Sequence, residues 1–397
     1  VHTPEIWDLE TGEIQPAGVY GIRDGKTCLS VHMEPFGSAL FSFAQETAKA
    51  HVSASDIHVE QTEVLEDGRV RVSGWGRLAE NGSITLDREG RERCYEVEAR
   101  KPLAKISLGN TFDFAMDKPN SLNTDRWKMK YVEAGDDENA ITCGRADYGS
   151  WLDMRMGAWE MQLPVERDEE VYPVKLWYVT SVEADFVPKD LKLMIDGFKG
   201  AGYVLYVNGR QVTETPERSY LDAEILTVPM KDYFTEGTNW ITVKLTVTGK
   251  SDGMIDLLKI IGSFGVDQRE GTEVICPMPA IMEAGDWTKK KLPYYSGTGF
   301  YTCRVNLTHE QIERRLMLRA RAGRDVLLIR VNGKEVKTCL WNPYTADISG
   351  YVKPGENEIT LGVVNTLMNL LESTRNPSGL FEAEIVPYDR YEMILPT

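Results

Sequence analysis

The sequence predicts an all-β protein built from tandem β-sandwich modules of the jelly-roll type. Short runs rich in Val, Ile, Leu, Tyr and Trp alternate with polar residues, and Gly, Asn, Asp or Pro follows about every ten residues. Helical periodicity is almost absent. Two blocks in the later part of the chain also repeat each other, which indicates that one β module occurs twice.

Strand-like runs are distributed along the whole chain. The clearest runs are residues 27–33, 69–74, 203–208, 240–247, 326–332 and 358–364. One helix start is predicted where Thr308 and Gln311 have the spacing of a capping box, and it opens only about one or two turns. The stretch 366–372 is compatible with either a helix or a loop.

The internal repeat is the strongest evidence for tandem modules. Residues 205–212 (LYVNGRQV) align with 329–336 (IRVNGKEV), and residues 233–243 align with 351–361. The offsets of the two blocks differ only by a short insertion, which a loop tolerates. Each copy contains an Asn-Gly pair, which favours a two-residue hairpin turn because both positions accept a positive φ. Two copies of one sandwich are therefore expected in the last two-thirds of the chain.

These patterns predict three parts of the chain. They are an N-terminal β portion at 1–104, a first jelly-roll sandwich at 105–268 and a second at 269–397. With Pro277 and Pro279, residues 266–283 are predicted to be the linker between the sandwiches. The acidic stretches 136–138 and 166–170 are predicted to be solvated loops.

Composition excludes several classes of partner. The chain has 397 residues with 45 basic and 61 acidic side chains, a formal charge of −16. A nucleic-acid surface needs clustered Lys and Arg, and anionic lipids also attract basic patches. No apolar run approaches the ~20 residues that cross a bilayer. Neither a nucleic acid nor a membrane is expected as a partner.

The cysteines predict the redox environment. The six cysteines are scattered without a Cys-x-x-Cys pair, so neither a disulfide framework nor a thiolate metal site is expected. Free thiols beside 14 Met favour a reducing, cytoplasmic location, with a secreted or periplasmic one left open.

The sequence contains no recognisable catalytic motif. A nucleophile elbow, a P-loop, a dinucleotide glycine pattern and a His-Glu-x-x-His zinc motif are all missing. Asp56 and His58 could offer two metal ligands, but an exposed loop pair is the expected interpretation. Glycosidases use a pair of carboxylates, but with 61 acidic residues some pairs will lie close together by chance. None of these residues follows a strand of a βα barrel, where catalytic residues of that fold lie. No catalytic residue is assigned.

Aromatic residues in turn-rich segments are the best binding candidates. The apolar C–H face of a sugar ring stacks on an aromatic ring, while amides and backbone groups bond its hydroxyls. The predicted carbohydrate-contacting residues are Trp341, Asn342, Tyr344, Trp287 and Tyr295. The alternative left open is that these aromatics fill the sandwich core. Trp159, Trp177 and Trp240 lie in strand-like runs and are expected to be core residues.

Motifs at the C-terminus resemble a known family. They are YYSGTG (294–299), VNGK (331–334), WNPY (341–344), DIS (347–349), GEN (355–357), NTLMN (365–369) and PSGL (377–380). With them the chain resembles the sugar-binding, galactose-binding-like jelly roll of glycoside hydrolase family 2. It is most similar to the version at the C-terminus of the α-L-rhamnosidases of glycoside hydrolase family 106. Trp7-Asp8-x-x-Thr11-Gly12-Glu13 and residues 34–38 resemble the β segment that follows the catalytic barrel there.

The resemblance implies an accessory function. In that family the catalytic glutamates lie on the barrel, upstream of everything seen here, and no position of this chain matches their motifs. The expected function is a non-catalytic, carbohydrate-binding region of a bacterial enzyme that acts on rhamnose-containing or related plant polysaccharide. The upstream barrel is the expected partner, and the start at Val1 without Met fits a fragment. Calcium is also implied, although no Asp-x-Asp-x-Asp loop locates it.

Two alternatives remain at the level of the sequence. One is a complete glycosidase with an unrecognised carboxylate pair. The other is a purely structural spacer in which every aromatic residue is core.

Overall fold

The computed structural model describes residues 3–31, 33, 38–43, 48–164 and 171–396. Residues 34–37 of the family-like stretch 34–38, the whole of the acidic stretch 166–170, and Val1 lie outside the described residues. The described chain is nearly all β, which confirms the predicted fold class.

The first strands are β1 (Pro4–Trp7), β2 (Ile14–Pro16), β3 (Tyr20–Arg23), β4 (Lys26–Leu29), β5 (Leu40–Phe43), β6 (His51–Ser55), β7 (His58–Val64), β8 (Val70–Gly76), β9 (Gly82–Arg88), β10 (Arg91–Val97), β11 (Ile106–Ser107) and β12 (Thr111–Met116). The middle strands are β13 (Asn120–Thr124), β14 (Trp127–Tyr131), β15 (Leu152–Met154), β16 (Gly157–Ala158), β17 (Val174–Ala184), β18 (Lys192–Ile195), β19 (Phe198–Lys199), β20 (Gly202–Val207), β21 (Arg210–Gln211), β22 (Glu217–Arg218), β23 (Leu226–Pro229), β24 (Gly237–Val247), β25 (Gly253–Met254), β26 (Leu258–Gly262), β27 (Gly265–Arg269), β28 (Thr272–Cys276) and β29 (Ile281–Glu283). The last strands are β30 (Thr298–Leu307), β31 (Arg315–Arg321), β32 (Val326–Val331), β33 (Lys334–Cys339), β34 (Tyr344–Asp347), β35 (Gly355–Val364) and β36 (Glu382–Leu395).

In the part of the chain that the structure describes, helices are few and short. They are α1 (Glu138–Thr142), α2 (His309–Ile312) and α3 (Met368–Glu372), with single 3-10 turns at Glu160–Gln162 and Trp287–Lys289. Thr308 and Gln311 form the predicted capping box at the start of α2. The ambiguous stretch 366–372 contains α3. Among the described residues no helix combines the length and the apolar character that crossing a bilayer requires.

The described chain forms two compact units, each assembled from separate segments. The first comprises Val1–Asp113, Phe300–Val363 and Leu380–Thr397, and the second comprises Phe114–Gly299 and Val364–Gly379. The sequence predicts a different kind of division, into three consecutive modules with boundaries at residues 104 and 268. These boundaries stay a prediction.

The second unit is a β-sandwich. One sheet has the order β13-β26-β18-β23-β22 and the other β15-β14-β17-β24-β20-β21. The long strands β17 and β24 pair antiparallel over their whole lengths, from Val174 with Val247 to Ala184 with Gly237. Apolar side chains of both sheets, such as Leu193 and Ile260 from one and Tyr178 from the other, share one buried cluster. Removal of this apolar surface from water holds the two layers together.

The first unit joins distant parts of the chain through β36. Residues 382–388 of β36 pair with β31, and residues 389–395 pair with β8. The sheet order is β34-β31-β36-β8-β7, so the last strand connects the N-terminal β portion with the later module. A further run has the order β30-β35-β32-β33, and smaller sheets are β2-β1-β5, β10-β9-β6 and β3-β4.

The repeat predicted from the sequence forms two equivalent hairpins. Asn208 and Gly209 have φ values of 50° and 78°, and Asn332 and Gly333 have 50° and 76°. Positive φ at both central positions is the geometry that an Asn-Gly turn supplies. The turn joins β20 to β21 in one copy and β32 to β33 in the other.

A buried asparagine clamps each hairpin to the following loop. In the first unit, Asn357 accepts from the backbone N–H of Lys353 at 2.9 Å and from Nδ2 of Asn332 at 2.9 Å. It donates to the carbonyl oxygens of Lys353 at 2.7 Å and Gly355 at 3.0 Å. In the second unit, Asn239 makes the equivalent four bonds, with its own Asn partner, Asn208, at 2.8 Å. These matching networks support the predicted duplication.

One local prediction is wrong and another holds only in part. The predicted linker 266–283 instead contains the hairpin β27–β28 and strand β29, and β28 also pairs parallel with β17. The two prolines stand after β28, where they interrupt no ladder. The acidic stretch 136–138 is largely solvated, as predicted, since Asp137 and Glu138 are exposed, but only its first two residues lie in a loop because α1 begins at Glu138. Asp136 is half-buried and accepts from Trp177 Nε1 at 2.9 Å, while Asp137 caps α1.

The six cysteines all lie in the described residues and are free thiols, as the sequence predicts. The cellular location stays a prediction.

We expect Asn357→Ala and Asn239→Ala to lower the free energy of unfolding by similar amounts, about 2 kcal/mol or more each, because each leaves several buried backbone groups without a partner. Urea unfolding followed by tryptophan fluorescence measures the loss. Asn306→Ala, on the exposed side of β30, is the matched control and should change stability by less than about 0.5 kcal/mol. A clamp variant that unfolds at the wild-type urea concentration would contradict this account.

Candidate functional site

The predicted sugar-contacting loop lies in the first unit between β33 and β34. Trp341 is 55% exposed, next to the exposed Leu340 and Asn342. A large aromatic side chain that presents this much area in a loop can stack on the apolar face of a ligand. Trp341 and Asn342 therefore remain candidates for a binding role.

Tyr344 anchors the same loop. Its side chain is buried, and its hydroxyl donates to the carbonyl oxygen of Asp325 at 2.6 Å. The side chain is therefore part of the core, the alternative that the sequence leaves open, and it fixes the loop on which Trp341 stands.

Trp287 and Tyr295 lie in the second unit and are both fully buried. Their rings meet edge to face, with centroids 5.4 Å apart. A Cβ atom at Gly299 would lie 2.4 Å from the Trp287 ring, so this glycine of the YYSGTG motif makes room for the indole. Neither ring presents a face to a ligand in this arrangement, and both fill the core.

The three strand tryptophans differ in exposure. Trp159 and Trp177 are fully buried, as expected for core residues. Trp240 on β24 is only partly buried and lines an open cleft.

The cleft with Trp240, which we call the Arg375 cleft, lies within the second unit. It has a volume of about 520 Å³ and lies beside β13, β14, β17, β24 and β28. Its charged lining residues are Asp125, Arg126, Lys128, Asp153, Glu273 and Arg375, and its aromatic ones are Trp127, Tyr148, Trp240 and Tyr294. The volume is within the range of small-molecule sites.

A three-residue polar cluster forms one end of the cleft. The Tyr294 hydroxyl lies 2.9 and 3.1 Å from the two carboxylate oxygens of Glu273. Arg375 Nη2 lies 2.5 Å from Glu273 Oε1 and 2.6 Å from the Tyr294 hydroxyl. The guanidinium also lies over the Tyr294 ring, 5.0 Å from its centroid. Glu273 and Tyr294 thus hold the guanidinium in one position.

Two backbone features place this cluster. Glu273 stands on β28, which is fixed to the main sheet where Glu183 pairs with Val274. Arg375 follows α3 in a left-handed conformation with φ 50°. A non-glycine residue with positive φ costs energy, which the surrounding contacts must supply.

Burial raises the pKa of Glu273 above its ordinary value. Arg375 and the Tyr294 hydroxyl act in the opposite direction, and Asp125 adds to the increase. Burial also raises the pKa of Tyr294, so its hydroxyl keeps its proton at neutral pH and can donate to Glu273.

The described residues show no arrangement that fits the calcium ion that the resemblance implies. The described part of the chain contains no group of three or more His, Cys, Asp or Glu side chains placed to hold a metal. The negative charge of Asp256 contributes to a raised pKa of Asp196, so these two carboxylates lie near each other. The fully buried ammonium of Lys259 lies 3.7 Å from Asp256 and already supplies a positive charge there. Asp56 accepts from the backbone N–H and hydroxyl of Ser83 at 2.8 and 3.0 Å. Asp56 and His58 are both exposed, as predicted, but only Asp56 lies in a loop, because His58 is the first residue of β7.

The sequence did not reveal the Glu273 cluster. Glu273 lies within the predicted linker 266–283, and its carboxylate contacts an arginine that lies 102 positions away in the sequence. No local spacing connects these residues, so only the fold brings them together.

Comparisons with known proteins give remote structural matches. No family model matches the chain, and no curated protein matches it. Solved structures similar to it include a glycosyl hydrolase family 2 member from Bacteroides cellulosilyticus, with 14% identity and a TM-score of 0.29 over 62% of this chain and 32% of that one. A β-glucuronidase from Ruminococcus gnavus matches with 13% identity and a TM-score of 0.30, over 73% and 48%. A rhamnosidase from Novosphingobium matches with 17% identity and a TM-score of 0.25, over 66% and 25%. The matches thus span a quarter to a half of the length of these proteins.

We expect Glu273→Gln to change the pH dependence of stability. A raised carboxyl pKa in the folded state stabilises the fold below the unfolded pKa, and this contribution is lost as pH rises through the folded pKa. The variant lacks this loss, so its stability relative to wild type should improve as the pH rises above the ordinary glutamate pKa of about 4. Urea unfolding at several pH values measures the difference. A difference that is constant or changes in the opposite direction would contradict the assignment.

Proposed function

We propose that this chain is a non-catalytic, carbohydrate-binding accessory region of a glycoside hydrolase-like enzyme that acts on plant-type polysaccharide. The β-sandwich architecture and the motifs at 294–299 and 341–344 support the proposal. The single observation that carries it is the exposure of Trp341. A tryptophan that is 55% exposed contributes little to the core, whereas its ring suits a sugar face.

The loop gives Trp341 a defined position. Tyr344, three residues further on, is buried and bonded to the Asp325 carbonyl oxygen at 2.6 Å. A loop that is anchored before binding loses less freedom when a ligand binds, which favours affinity. The adjacent exposed Asn342 offers an amide for sugar hydroxyls.

The proposed partner is a catalytic barrel of the same polypeptide, which would lie upstream. An exposed apolar row on the small sheet β2-β1-β5 supports it, because Trp7 pairs with Ile14 on one side and Leu40 on the other. These side chains are 39%, 50% and 45% exposed. Contiguous exposed apolar side chains of this kind are typical of surfaces that another domain covers.

We expect Trp341→Ala to weaken binding of plant-type oligosaccharides at least tenfold with little change in melting temperature, because the side chain stacks on the ligand and is not part of the core. Isothermal titration and thermal unfolding measure the two effects.

Tyr344→Phe is the matched control. It removes the buried hydroxyl that anchors the loop but keeps the ring in the core, so it should lower the melting temperature by a few degrees and weaken binding much less than Trp341→Ala does. A several-degree loss in Trp341→Ala with unchanged affinity would support the structural spacer and contradict the binding role.

Catalysis by this chain is the enzyme-class alternative, and one observation favours it: Asp125 and Glu273 line the same cleft. However, the Tyr294 hydroxyl contacts both oxygens of Glu273, and Arg375 contacts one. This arrangement suits a carboxylate that positions a guanidinium.

We therefore expect no release of nitrophenol from aryl α-L-rhamnosides or aryl galactosides by the purified chain. Turnover that is lost in Glu273→Gln but retained in Glu217→Gln, an exposed control, would contradict the accessory role.

A further inference from the structure

We infer that the Arg375 cleft is a second binding site of this chain and that it takes an uncharged saccharide. The inference rests on the proposed carbohydrate-binding function and concerns a different surface from the Trp341 loop. Three features carry it: a positioned guanidinium, an aromatic wall and a balance of charge.

The guanidinium is held in place before any ligand arrives. Its two hydrogen bonds, to Glu273 and to the Tyr294 hydroxyl, are both made by Nη2. The side chain is 40% exposed and lines the cleft, so part of its planar set of N–H donors faces solvent. A donor whose geometry is fixed by its neighbours binds hydroxyl oxygens at a lower entropic cost.

Trp240 supplies the apolar wall. Its ring stacks on Tyr148, with centroids 5.0 Å apart and planes at 25°. Gly144, with φ +77°, lies so close that a Cβ atom there would be 2.1 Å from Trp240 Nε1. The indole is therefore held from two directions, and the part of the side chain that stays exposed borders the cleft.

The charges of the cleft balance. Its lining has three cationic and three anionic side chains, although the whole chain carries a formal charge of −16. Lys128 pairs with Asp153 at 2.8 Å, and Arg375 pairs with Glu273. Charged side chains form strong hydrogen bonds, and oppositely charged pairs add no net charge to the cleft. Such a lining suits the hydroxyl groups of a neutral ligand, which both donate and accept hydrogen bonds. An anionic ligand would instead need uncompensated cations.

The test isolates the cleft by working in Trp341→Ala protein, in which the loop no longer contributes. The cleft variant is Arg375→Gln with Glu273→Gln, which removes the ion pair without leaving a buried charge unpaired. The matched control is Lys192→Gln with Glu217→Gln, an exposed pair at 3.1 Å in the same unit. Near-ultraviolet circular dichroism checks that each protein is folded.

Isothermal titration uses cello-, xylo- and galacto-oligosaccharides as neutral probes and oligogalacturonides as acidic ones. We expect the Trp341→Ala protein to retain saturable binding of at least one neutral probe. The cleft variant should lose this binding at least tenfold, and the control variant should keep it. The acidic probes should bind no more tightly than the neutral ones.

Two outcomes overturn the inference while the proposed function stands: the cleft variant binds like its control, or Trp341→Ala alone abolishes binding. Tenfold tighter binding of the acidic probes overturns the uncharged ligand class. If the wild-type chain binds none of the saccharides, the proposed function itself fails.

Discussion

The asparagine clamp is the interaction on which both halves of the molecule depend. A β-sandwich needs its strands joined by loops whose backbone groups are satisfied when they pack at the ends of the layers. In each unit one buried asparagine makes hydrogen bonds with a backbone N–H and with two carbonyl oxygens of its own loop. Its side-chain oxygen also accepts a hydrogen bond from the amide of a second asparagine. The second asparagine occupies the positive-φ turn of the neighbouring hairpin. One side-chain pair therefore fixes a tight turn and a longer loop together.

This clamp also explains how much of the fold the sequence predicts. Asn208-Gly209 and Asn332-Gly333 need positive φ, a local property that is visible in the sequence, and their bonding partners recur at matched positions downstream. The all-β class follows from alternating runs that become strands. The sequence does not predict the hairpin at 265–276, because the prolines at 277 and 279 indicate a linker although they follow the hairpin.

The candidate sites are less predictable for a physical reason. Exposure of an aromatic residue depends on which neighbours are small, and such neighbours are distant in sequence. Trp287 is enclosed because Gly299 and Gly379 leave space for its ring, while Trp341 meets no such enclosure and stays 55% exposed. The Arg375 cleft depends on β28, α3 and β24 coming together, which no motif encodes. Sequence patterns thus locate Trp341 but not Glu273 or Arg375.

We propose that the chain binds saccharides at two surfaces, one at an exposed tryptophan and one in a charge-balanced cleft. The most direct measurement is the stoichiometry of neutral oligosaccharide binding to the wild-type chain by isothermal titration. The account predicts saturable binding at more than one site per chain. Absence of any saturable binding across the neutral probes, with the protein folded, would contradict it.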